Sequence, residues 1–88
     1  MNIFYTTQFK RDYRRAKKQG KNLSELEEIV RKLVQREKLD PKHKDHHLLG
    51  RWRRHRQCHI RPDWLLLYRV EKDSLFLERT GSHSELFE

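Results

Sequence analysis

The sequence predicts an α+β fold in which two helices pack on a small antiparallel sheet, in the order β-α-α-β-β-β with a short C-terminal tail. Three observations carry this. Two stretches in the first half place apolar residues at helical spacing, Phe9-Tyr13-Ala16 and Leu23-Leu26-Val30-Leu33-Val34. The region after Gly50 instead alternates and is dominated by β-formers. Two turn dipeptides, Pro62-Asp63 and Lys72-Asp73, cut that region into three.

The elements follow in order. Ile3-Phe4-Tyr5 is a short apolar-aromatic run suited to a strand, and the Thr6 and Thr7 hydroxyls can cap the helix that follows. Gly20 stops that helix. Asn22 with Glu25 resembles a capping box that opens the second helix, and Asp40-Pro41 ends it, because proline disfavours helical backbone in the residue before it. Residues 41–50 lack periodicity and read as a loop. Three strands are expected at Trp52–Ile60, Trp64–Val70 and Ser74–Arg79. After Gly81 comes a tail with Leu86 and Phe87 as its apolar anchor.

With 88 residues the chain is expected to form one domain, 1–88, with a thin core. A net charge of +8 at 39% charged residues points to a polyanionic partner, nucleic acid or an acidic protein. The lone Cys58 excludes an internal disulfide and a cysteine-built zinc cage. No apolar run approaches the ~18 residues of a membrane span, and no signal-peptide h-region stands at the start, so the expected compartment is the cytoplasm with no membrane partner.

The candidate chemistry lies in KDHHLLG, CHIRPDW and ERTGSHSELF. Side-chain alternation puts Cys58 and Ile60 on one face with Arg54 and Arg56; Cys58 and Ile60 read as core positions, which sends Gln57, His59 and Arg61 to the opposite, open face, provided no bulge intervenes. Asp63 sits at the turn just beyond, His83 after the last strand, and His46 in the loop before the meander. If these converge, they suit general acid–base work on RNA without a metal. A base takes the 2′-OH proton, a cation steadies the phosphorane, and an acid protonates the leaving 5′-oxygen. Arg51, Arg53, Arg54, Arg56 and Arg61 are candidates to bind phosphate. Plainer roles compete. His43 and His55 suit a solvated surface, Asp63 can serve its own turn, Trp52 and Trp64 can simply pack, and the arginines can protect an edge strand. A zinc site from His46, His59, His83 and Asp63 is chemically possible, but the spacing matches no metal signature.

Taken together, Asp45-His46, Leu48, Gly50, Arg56, His59, Pro62-Asp63, Leu65, Tyr68, Arg79, Gly81, His83 and Leu86-Phe87 form a pattern that resembles the YafQ branch of the RelE/ParE toxin superfamily. The resemblance is sharpest from Lys44 to Phe87. It implies a RelE-like fold and the toxin of a type II toxin–antitoxin pair. Such a toxin is a ribosome-dependent mRNA endoribonuclease (mRNA interferase) that enters the A site of the 70S ribosome and cuts mRNA without a metal or other cofactor. The family's functional residues fall on His46, His59, Asp63, His83 and Phe87. The implied partner is a cognate antitoxin whose acidic segment wraps the toxin and whose DNA-binding part represses the operon. Two departures stand out: His47 replaces a proline common after the loop histidine, and RWRRHR is unusually basic. The alternatives are a binding-only toxin on the same fold, like the ParE branch that traps gyrase, and an RNA-binding protein or RNase independent of the ribosome.

Overall fold

In the computed structural model, which describes residues 1–87, the elements are β1 (Asn2–Tyr5), α1 (Thr7–Lys18), α2 (Leu23–Val34), β2 (His46–His47), β3 (Arg56–Arg61), β4 (Trp64–Glu71), β5 (Ser74–Gly81) and α3 (His83–Phe87). Helix α1 starts where Thr6 Oγ1 accepts the Phe9 N–H, and α2 where Asn22 Oδ1 accepts the Ser24 N–H. Glu25 does not reach back to complete a capping box; its carboxylate pairs with Arg61. Gly20 takes a positive φ of 76° just past α1, where a side chain would be strained. Helix α2 ends at Val34, six residues before the expected stop at Asp40, because Arg36 adopts a left-handed φ of 59°. Leu39 then returns to the core.

The sheet order is β1-β5-β4-β3-β2. The expected sheet was purely antiparallel; the observed one is mixed, because β1 runs parallel to β5 with Ile3 opposite Leu75 and Tyr5 opposite Leu77. The expected strand from Trp52 begins only at Arg56, since Gly50–Trp52 winds into one 3₁₀ turn. The expected loop at 41–50 contains β2, which pairs with β3 and places His46 opposite Gln57.

Strand alternation builds two cores. Cys58, Ile60, Leu66, Tyr68, Leu75 and Leu77 face α1 and α2, meeting Phe9, Ala16, Leu26, Ile29 and Leu33. Leu65 and Leu67 face the other way and are covered by Leu86 of α3, with Leu48 and Trp52 alongside. The face expected to be open is therefore partly roofed by the C-terminal residues. A buried ion pair ties α1 to the end of β5: Asp12 accepts from Arg79 Nε at 2.9 Å and from the Thr80 N–H at 3.1 Å. That N–H lies past the end of β1, where β5 has no strand partner on this side.

Candidate active site

The turn between β3 and β4 and the start of α3 meet at one end of the second face. Asp63 Oδ1 accepts both the backbone N–H and the ring Nδ1–H of His83, each at 3.0 Å. One carboxylate oxygen thus caps α3 and fixes the imidazole that follows the cap. These His83 interactions, the backbone one foremost, hold the Asp63 carboxyl below its ordinary value despite some desolvation. A second cap comes from Ser82 and Glu85, each side chain bonding the other's backbone N–H.

His59 lies beside this pair, its ring centroid 5.8 Å from that of His83, and His83 is 6.5 Å from Phe87. Phe87 in turn meets the edge of Trp52 at 6.5 Å. The result is an aromatic strip, His59, His83, Phe87, Trp52, with Phe87 exposed. His46 sits on the same face by register, because its cross-strand partner Gln57 is two residues from His59 on β3 and shares its face.

The hydrogen bonds set the tautomers of all three rings. His59 Nδ1 contacts the Pro62 carbonyl at 3.2 Å, His46 Nδ1 the Lys44 carbonyl at 2.7 Å, and His83 Nδ1 the Asp63 carboxylate. Carbonyls and carboxylates only accept, so each Nδ1 carries the hydrogen. Each Nε2 is left as the working nitrogen, an acceptor when the ring is neutral and a donor when it is charged.

The arginines divide. Arg51, Arg53 and Arg54 are exposed, and Arg51 stacks over Trp52 at 5.7 Å. Arg56 bonds Asp45 instead, which also accepts the Tyr68 hydroxyl. Arg61 was expected on the His59 face. A bulge between His59 and Arg61 turns it to the other side, where it binds Glu25 at 2.9 Å. It still lines, with Lys21, Asp63 and Trp64, a groove of about 580 Å³.

Sequence reasoning gave no role to Asp45, Tyr68 or Glu85. Asp45 fastens the segment carrying His46 to β3 and β4 through Arg56 and Tyr68. Glu85 had a legible signal, the Ser82-x-x-Glu85 spacing of a capping box. Cys58 is no nucleophile: burial pushes its thiol up to about 12. Among the described residues no three His, Cys, Asp or Glu side chains are grouped to hold a metal ion.

This α+β architecture, two helices on one face of a five-stranded mixed sheet, is shared with solved bacterial YafQ toxins. All of residues 1–88 match the family described as bacterial toxin of type II toxin–antitoxin system, YafQ, and the chain belongs to that family. It is 36% identical over 87 residues to the mRNA interferase toxin YafQ of Escherichia coli K12, covering 98% of this chain and 95% of the relative. It superposes on YafQ in the E. coli DinJ–YafQ complex with a TM-score of 0.93 at 35% identity, covering 99% and 98% of the two chains. A metal-bound toxin from Helicobacter pylori gives 0.93 at 40% identity, covering 99% of each chain.

Proposed function

We propose that this chain is an mRNA interferase that cuts ribosome-bound message by acid–base transesterification. The Asp63–His83 pair standing 5.8 Å from His59, ring to ring, carries the reading. In this mechanism His59 Nε2 is the base that takes the 2′-OH proton, its Nδ1–H held by Pro62. The 2′-oxygen attacks the adjacent phosphorus, the P–O5′ bond breaks, and His83 protonates the leaving 5′-oxygen. Asp63 fixes the His83 tautomer and faces its protonated ring. His46 steadies the phosphorane from the neighbouring strand, and a base stacks on Phe87. The products are a 2′,3′-cyclic phosphate and a free 5′-hydroxyl. Exposed Arg51, Arg53 and Arg54 hold flanking phosphates, and Arg61 serves the groove beside Asp63.

We further propose a cognate antitoxin with an acidic segment, by analogy with the DinJ–YafQ complex, and action in the cytoplasm. No described helix is long and apolar enough to cross a membrane. The test is cleavage mapping on ribosome-bound and on naked message, with wild type and His83→Ala, in excess chelator. Cuts confined to bound message, absent in the variant and indifferent to chelator, are expected. Cuts lost in chelator would assign the chemistry to a metal, and cuts on naked message would remove the ribosome requirement. A folded wild type that cuts nothing would sink the nuclease.

A further inference from the structure

A five-residue helix does not hold itself together in water. Helix α3 nevertheless carries both His83 and Phe87, so something outside it must fix them. Asp63 holds only its first turn. Leu86 anchors the helix from below and Phe87 meets Trp52, but neither contact reaches α1.

The remaining restraint is polar and comes from α1. Glu85 places Oε1 on the Ser82 N–H at 2.8 Å, inside its own helix. Its other oxygen, Oε2, accepts from Gln19 Nε2 at 3.0 Å and pairs with Arg15 Nε at 3.2 Å. Arg15 is anchored in turn, its Nη2 lying 3.2 Å from Oδ1 of the buried Asp12. Asp12 is bound to β5 through Arg79 and the Thr80 N–H. A continuous polar chain therefore runs from the sheet through α1 to α3. Gly81 leaves room for it: a Cβ there would stand 2.9 Å from both Arg15 Nη2 and Glu85 Oε1.

We propose that Glu85, clamped by Arg15 and Gln19, is a positioning residue that sets the place of His83 and Phe87 for the reaction. It lines the groove beside Asp63 but lies on the helix flank facing α1, and it acts through the orientation of α3. The proposal rests on the acid–base reading for its consequence in catalysis, but the clamp itself is testable without RNA.

The test uses Glu85→Gln and Arg15→Leu in the full chain. Glu85→Gln keeps an oxygen for the Ser82 cap and loses the charge that holds Arg15; Arg15→Leu cuts the clamp from the other side. Two quantities are read: amide hydrogen exchange across 83–87 with the His83 ring NMR signals, and single-turnover cleavage of ribosome-bound message. In both variants we expect exchange at 83–87 to rise, the His83 signals to shift toward those of a free ring, and the cleavage rate to fall by up to about 10²-fold, the scale of a misplacement near 1 Å. RNA affinity should change much less, and Arg15→Lys should restore part of the rate. Unchanged exchange and ring signals in both variants would overturn the clamp, whatever the rate does. Faster exchange with an unchanged rate would overturn the positioning role. Faster exchange in a chain whose wild type cuts nothing would uphold the clamp and remove the acid–base reading.

Discussion

Asp63 engages two donors of a single residue, the main chain and the ring of His83, so losing its charge loosens a helix start and an imidazole together. We expect Asp63→Asn to lower the cleavage rate by about 10²–10⁴-fold, the usual range for acid–base groups, with folding little changed because the carboxylate is exposed. Single-turnover rates with circular dichroism as the control check this. The pH dependence has a defined sign. The carboxyl is held below its ordinary 3.8, so it is already ionised above that value and stays so until the pH falls further. A rate that declines well above pH 3.8 is therefore controlled by another group. Asp12 supplies the contrasting case. Burial raises its pKa, but hydrogen bonds from Arg79, Gln8 and the Thr80 N–H outweigh that and leave it below 3.8. Its stabilisation is full above the unfolded value of 3.8 and is lost as pH falls through the lowered folded value. Asp12→Asn should cost about 3 kcal/mol at neutral pH, the low end for breaking a buried pair, since Arg79 stays partly hydrated. Urea unfolding at neutral and acid pH should show the variant losing less on acidification than wild type.

At the scale of elements, what was legible in the sequence was whatever repeats locally. Leu23, Leu26, Val30 and Leu33 mark one side of α2, and the turns at Pro62-Asp63 and Lys72-Asp73 bound β4 closely. Three features were not legible because their causes are not local. The two residues of β2 are too few to show alternation. The parallel partner of β1 lies more than seventy residues away, Asn2 against Ser74. The bulge after His59 reverses Arg61 although the residues around it alternate normally. For the candidate site, alternation put His59 on the face away from α1 and α2, where it stands, but the meeting of Asp63 with His83 depends on how α3 folds back. The loop before β3 offers an element-scale test. Tyr68→Phe removes the hydroxyl that Asp45 accepts, a hydrogen bond to a charged group worth about 1.5–3 kcal/mol. We expect a lower urea midpoint and faster amide exchange around His46, with exchange in α1 following only the global loss.

On the scale of the molecule, the charge of +8 is unevenly used. Arg15, Arg56, Arg61, Arg69 and Arg79 are tied to carboxylates within the fold. Arg51, Arg53 and Arg54 form no ion pair among the described residues and stand on the 3₁₀ turn and the turn after it, with Arg51 over the Trp52 ring. Replacing these three by Gln should weaken binding to a short single-stranded RNA. It should also flatten the salt dependence by about 0.7 in log–log slope for each phosphate that is no longer neutralised. Fluorescence anisotropy across a salt series measures both. An unchanged slope would move the RNA-binding surface elsewhere.

The pairing of β1 with β5 bears on the order of events during synthesis. The first strand to leave the ribosome has no partner until the last one follows it, and α3, with His83, comes later still. The sheet cannot be complete before β5 has been made, nor the histidine cluster before His83. A chain stopped short of His83 would hold neither the Asp63–His83 pair nor the Leu86 cover over Leu65 and Leu67.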